Sequence, residues 1–214
     1  MTTFDPTAPT DSHLQPLVAA ELERVAAALE PLPDDAWDAP SRCERWRVRE
    51  VVAHLTMAAR YGSDEFLAEL ESDGFDFGKL SDRIAARDGA LDPVALVAGL
   101  RSEAMATFAP PGGGYAGALT HVVVHGLDVT EPLGLGRVSS DEAIRHVLDG
   151  LTTGGGHAHF GMTTVAGELR ATDLDWSFGS GDVVDAPAHV IALALCGRAV
   201  PGGDAVLDPS SRRN

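Results

Sequence analysis

Basic residues are scarce in this chain: 16 Lys and Arg stand against 32 Asp and Glu, a formal net charge of −16. Nucleic acid and anionic membrane surfaces are recognised through clustered Lys and Arg, so neither is expected as a partner. A small anionic substrate stays open, because a bound metal ion can dominate its local field. Cysteine is nearly absent, with Cys43 and Cys196 alone, and both read as free thiols. There is no CxxC and no HExxH pattern, which removes two common zinc arrangements. Long apolar runs are missing too. Ala188 to Cys196 falls far short of the roughly 20 residues of a membrane span. The start, Met1-Thr2-Thr3-Phe4-Asp5, lacks the basic and apolar regions of a signal peptide. The expectation is a soluble, cytoplasmic protein, monomer or homodimer.

What is present is helix-forming sequence. Hydrophobic residues make up 44% of 214 positions, enough for a sizeable core. Leu14, Val18, Leu22, Val25 and Leu29 recur at helical spacing and predict a first helix over 12–30, stopped by Pro31 and Pro33. The loop 33–46 holds Trp37 and Trp46, read as lids on the core with ligand binding as the rival reading. A second helix starts near Val48, with Glu50 as half of a capping box, and is expected to run to about Leu67 or Leu70 despite Gly62. Residues 71–91 read as a mobile loop with a short helix, of the kind that closes over a site. Asp92-Pro93 opens a third helix carrying Val94, Val97, Leu100, Ala104 and Phe108, and Pro110-Pro111-Gly112-Gly113-Gly114 ends it. A fourth helix runs from about Ala116 to Thr130. The pattern predicts a mainly α protein, a four-helix bundle over residues 1–134 followed by a small α/β (α+β) unit over 135–214. In the latter, a helix is expected from Ser140 to Leu151, strands at Val165–Thr172 and Trp176–Phe178, and a last helix Ala188–Cys196 capped by Asp185-Ala186-Pro187 and closed by Gly197.

The chemistry gathers on histidine. His121 and His125 stand four apart in an apolar run and so share one helix face. Each neutral ring carries a donor and an acceptor that need partners, which an apolar face does not supply. His54, at the edge of the buried stripe of the second helix, can join them on one divalent ion. Three protein ligands and one open position make the catalytic pattern of zinc, and neutral imidazole also suits nickel and other late first-row ions. Asp128, three residues past His125, is either an acceptor for a ligand ring or a helix-end salt-bridge residue. Arg198 can clamp a carboxylate or satisfy helix carbonyls. Cys43 reads as a small buried hydrophobe with no base beside it. His157 and His159 read as exposed loop residues or as part of a cleft lining; His13, His146 and His189 read as surface.

The stretch Cys43-Glu44-Arg45-Trp46-Arg47-Val48-Arg49-Glu50-Val51-Val52-Ala53-His54-Leu55 and the run His121-Val122-Val123-Val124-His125-Gly126-Leu127-Asp128 resemble the mycothiol-dependent maleylpyruvate isomerase family of DinB-like metalloenzymes. Leu169-Arg170-Ala171-Thr172-Asp173 and Leu195-Cys196-Gly197-Arg198 extend the resemblance more softly. It implies a DinB-like four-helix bundle with a small α/β domain. It also implies a divalent metal held by His54, His121 and His125, mycothiol as cosubstrate, and Arg198 as the arginine needed for activity. In the isomerase the ligand at the position of His121 is a glutamate, so the neutral ring here makes the site more electrophilic and leaves the substrate open. The implied activity is thiol-dependent transfer or isomerisation of a small electrophile. A hydrolase using metal-bound water and a non-catalytic metal or small-ligand binding protein are the alternatives.

Overall fold

The computed structural model describes residues 11–153 and 167–206. Its first helix, α1 (Gln15–Leu29), buries Val18, Leu22, Val25, Ala26 and Leu29 along one stripe, as the spacing predicts. Glu21 shares that buried face: its carboxylate accepts from the backbone N–H and the hydroxyl of Ser140, 3.2 and 2.7 Å away. The second helix is shorter than the sequence suggests. α2 (Val48–Leu55) begins where the Arg47 N–H donates to Glu50 at 2.7 Å, the expected half of a capping box. It ends where the Thr56 hydroxyl turns back onto the Val52 carbonyl at 2.7 Å. A 3-10 turn follows, and extended Gly62 starts a separate helix, α3 (Ser63–Ser72).

The short helix expected within residues 71–91 is α4 (Phe77–Asp88), twelve residues long and N-capped by Asp76. Its apolar positions are too few to stand out as a period, yet Leu80 and Ile84 are fully buried in a small core with Met57, edged by Tyr61, Phe66 and Leu70. The expected third helix is likewise two, α5 (Pro93–Leu100) and α6 (Glu103–Thr107), because the Ser102 hydroxyl accepts from the Met105 N–H and restarts the chain. α7 (Gly114–Thr130) is the long central helix and packs on α1 and α2. A Cβ on Gly126 would lie 2.9 Å from Val25, so the missing side chain lets α1 and α7 approach.

Beyond α7, α8 (Asp141–Thr152) is N-capped by Ser140. Three short strands follow: β1 (Glu168–Ala171), β2 (Ser177–Gly179) and β3 (Val183–Ala186), in the order β2-β1-β3. β1 pairs antiparallel with β2 and parallel with β3. The third strand was not expected, since Asp185-Ala186-Pro187 reads as a cap. Asp185 instead pairs with Arg170 across the sheet, and Asp173 accepts from the Ala188 N–H at 2.7 Å to start α9 (Ala188–Leu195). One continuous core joins α1, α2, α5, α7, α8 and α9 to the sheet. The architecture is a mainly helical, DinB-like bundle with a small mixed sheet near its C-terminal end. Among the described residues no helix is long and apolar enough to cross a membrane.

Candidate metal centre

α2 and α7 lie side by side, and each brings histidine to the seam. His54 sits in the last turn of α2, buried; His121 and His125 stack one turn apart on α7, partly exposed. The His54 and His121 Nε2 atoms are 3.1 Å apart. Ring centroids are 5.0 Å apart for His54–His121, 5.0 Å for His54–His125 and 4.8 Å for His121–His125. One nitrogen from each ring falls within 4.8 Å of the other two. Two ligands at zinc distances on a tetrahedron stand about 3.3–3.4 Å apart, so the 3.1 Å Nε2 pair needs only a small opening to take an ion. His54 Nδ1 is buried without a hydrogen-bond partner among the described residues. The donor set fits a divalent late first-row metal.

Protonation favours the same use. Burial drives His54 well below the usual imidazole range, with the neighbouring His125 and His121 adding to the effect. It pushes His121 down to about 3, again with His125 contributing. Both are therefore neutral near pH 7, the form that ligates.

Behind His125 lies a second polar group, assembled from three distant segments. Asp128, fully buried one turn further along α7, accepts from His125 Nδ1 at 2.9 Å. An ionised carboxylate can only accept, so Nδ1 carries the proton and Nε2 keeps its lone pair for the cluster. Arg198 closes on the same carboxylate with two bonds, Nε to Oδ1 and Nη2 to Oδ2, each 3.0 Å. Burial alone would raise the Asp128 pKa, but the bonds from His125 and Arg198 outweigh it and hold it at about 2. Both readings of Asp128 are thus realised at once.

Arg198 is aimed by the end of α9. Gly197 has φ +74°, and the Arg198 N–H bonds back to the Leu193 carbonyl at 2.9 Å, turning the chain towards α7. Arg198 Nη1 also donates to the Cys196 carbonyl at 3.1 Å, so the carboxylate clamp and the carbonyl contact coexist.

Cys43 is not a plain core hydrophobe. Its Sγ lies 3.0 Å from Asp128 Oδ2, 3.8 Å from His125 Nδ1 and 3.5 Å from Arg198 Nη2. Burial first, then the Asp128 charge, raises the thiol pKa, so Cys43 donates a hydrogen bond to the carboxylate. Its partners are 82, 85 and 155 residues away in the chain, and nothing local announces them. Trp46, too, reaches the cluster. Its ring lies 4.8 Å from that of His54 and 6.5 Å from that of His125, with Nε1 donating to Asp82 of α4 at 3.1 Å. The loop presenting Cys43 and Trp46 is pinned by Ser41, whose hydroxyl donates to the Trp46 carbonyl at 2.6 Å, and by the Arg42 N–H on the Asp128 carbonyl at 2.9 Å. Trp37 is a buried core residue, as expected. His189, expected at the surface, is half-buried and its Nδ1 has no partner among the described residues. His13 and His146 are exposed. His157 and His159 lie outside the described residues.

Residues 18–109 match the mycothiol maleylpyruvate isomerase N-terminal domain family. The match takes in His54 and stops short of α7, so the family domain by itself reaches one of the three histidines. Two solved structures of the mycothiol-dependent maleylpyruvate isomerase share the fold over the whole chain. A histidine-to-alanine mutant aligns at 16% identity and a TM-score of 0.54, and a second structure at 17% and 0.53. Each alignment covers 100% of this chain and 98% of the other. No curated protein matches in sequence. The family domain and the metal-capable histidine cluster together support a metal-dependent enzyme of the isomerase and transferase type.

Proposed function

We propose that His54, His121 and His125 hold one divalent metal, zinc or another late first-row ion such as nickel, and that the protein is a thiol-dependent transferase or isomerase with mycothiol as cosubstrate. The observation that carries this reading is the convergence of three imidazoles from α2 and α7, with their ligating nitrogens within 4.8 Å of one another. Bound there, such an ion would supply Lewis acidity able to hold a thiol as thiolate at neutral pH. The protein's own residues set that up. His54 and His121 are kept neutral by burial. Asp128 fixes the His125 tautomer and ring plane, and Arg198 keeps Asp128 ionised in a buried place. Arg198 therefore acts through Asp128 and His125 as a positioning residue. Its guanidinium is engaged by that carboxylate and by the Cys196 carbonyl, which limits its use as an anchor for a substrate anion.

Nucleophilic use of Cys43 is disfavoured by its raised pKa and its bond to Asp128. Two unpaired cysteines suit a reducing compartment such as the cytoplasm, where a thiol cosubstrate stays reduced. The test is elemental analysis of the purified protein beside His125→Ala, followed by thiol titration of the cobalt-substituted protein. Near-stoichiometric metal lost in the variant, and a thiol-dependent change in the cobalt spectrum, are expected. Ester or amide hydrolysis indifferent to thiol would instead favour the hydrolase reading. Metal-free protein that takes up no added zinc sinks all metal chemistry.

A further inference from the structure

One side of the histidine cluster is aromatic. Trp46 lies against His54, and Phe77, at the first position of α4, stands edge-on to the same ring at a centroid distance of 6.3 Å. Phe66 of α3 extends this wall, 6.4 Å from Phe77. Phe77 is nevertheless 52% exposed, an unusual cost for a phenyl ring unless something apolar covers it. The wall is held firmly. Asp76 caps α4, Leu80 and Ile84 seat the helix in its own small core, and Asp82 fixes the Trp46 indole.

Charge around the wall points the same way. Arg45 pairs with Asp82 at 2.6 Å, Arg60 with Asp88 at 2.8 Å, and Arg198 with Asp128 at 3.0 Å. These three guanidiniums are therefore each matched by a carboxylate. A dicarboxylate substrate would find each of these guanidiniums already paired and would lie beside Asp82. We propose that Trp46 and Phe77 are specificity-determining residues that take a neutral, planar, apolar group, an aromatic or extended conjugated ring bearing the electrophilic carbon. This substrate class rests on the thiol-transfer reading above and deepens it.

The test uses the zinc-loaded full chain and two probes, neutral 2,4-dinitroaniline and dianionic maleate. Binding is followed by the indole N–H resonances, with the Trp46 signal assigned from Trp46→Phe. Dinitroaniline should shift the Trp46 resonance and bind at least about tenfold more tightly than maleate. Phe77→Ala should weaken it about tenfold, while Phe77→Tyr, which keeps the ring, should leave it within about twofold. The proposal is overturned by tighter binding of maleate, by no dinitroaniline binding, or by a Phe77→Ala Kd equal to that of the parent. Zinc content measured on the same samples separates the two readings: unaltered zinc in His125→Ala defeats the metal assignment and leaves the Phe77 result to be read on its own.

Discussion

Two polar clusters flank α2, and they are built on opposite principles. At its C-terminal end Asp88 accepts from Arg60 at 2.8 Å, Tyr61 at 2.6 Å and Arg87 at 3.1 Å, so that one acid is matched by three donors. Burial opposes the Asp88 charge, yet the bonds from Tyr61 and Arg60 keep its pKa below the ordinary carboxylate range. That network is complete within the protein. The histidine cluster brings three groups of identical chemistry together, two of them kept neutral by burial, and leaves a buried nitrogen without a partner among the described residues. A complementary network ties helices together; three convergent imidazoles bring several ligating nitrogens to one place, a set suited to something from outside. Asp128 and Arg198 stand between the two kinds, since they are satisfied internally but reach the cluster through His125.

The comparison breaks most visibly at a ligand. His54→Ala should lower metal affinity by more than about 100-fold, beyond the usual effect of losing an outer partner, and should do so without unfolding the chain. Retained stoichiometric metal in that variant, measured by elemental analysis, would sink the distinction drawn here. Next comes Arg198→Ala, which strands the buried Asp128 carboxylate. A loss of about 3–5 kcal/mol is expected, near 10 °C in melting temperature for a chain of this size. Replacing both partners, as in Asp128→Leu with Arg198→Met, should recover much of it; equal melting of single and double variants would contradict the pairing.

Asp128→Asn should cost about 10–100-fold in metal affinity, because an amide holds the His125 ring less firmly than a carboxylate. Calorimetric titration with zinc reads this directly. Asp88→Asn gives the smallest effect, on the order of 1–2 kcal/mol in stability with metal content unchanged. A drop in bound metal there would erase the contrast between the clusters.

Acid should weaken the metal-free protein in two stages. Folded His121, with its pKa pushed down to about 3 by burial from an ordinary 6.5, binds its proton later than the unfolded chain does. Stability therefore falls as pH drops below about 6.5, and buried His54 acts in the same direction. Asp128, held at about 2 against an ordinary 3.8, lends stability that is whole above about pH 4 and lost as pH falls towards 2. Melting curves of chelator-treated protein from pH 8 to pH 5 check the first stage. A flat profile that stays flat in His121→Leu would argue against the buried neutral rings.

Much of this is legible in the sequence. The 3.6-residue period placed α1 and α7, Ser140 and Asp92 opened their helices, and the four-residue gap between His121 and His125 put both rings on one face. What escaped did so for stated reasons. α4 has few apolar positions and hides Leu80 and Ile84 in a satellite core, so its period was faint. The expected run from α2 to Leu70 broke because Thr56 and Gly62 offered the backbone other bonds and another conformation. Cys43 and Arg198 gained their meaning from partners in other segments.

Periodicity, caps and turn glycines act within a few residues, so the chain itself determined where helices start, which faces are apolar, and that two imidazoles would point the same way. Whether His54 meets them, whether Asp128 is braced by Arg198, and whether Phe77 borders the cluster depend on how α2, α4, α7 and α9 pack. Those contacts join residues tens to more than a hundred positions apart, and only burial in a shared core brings them within hydrogen-bonding distance.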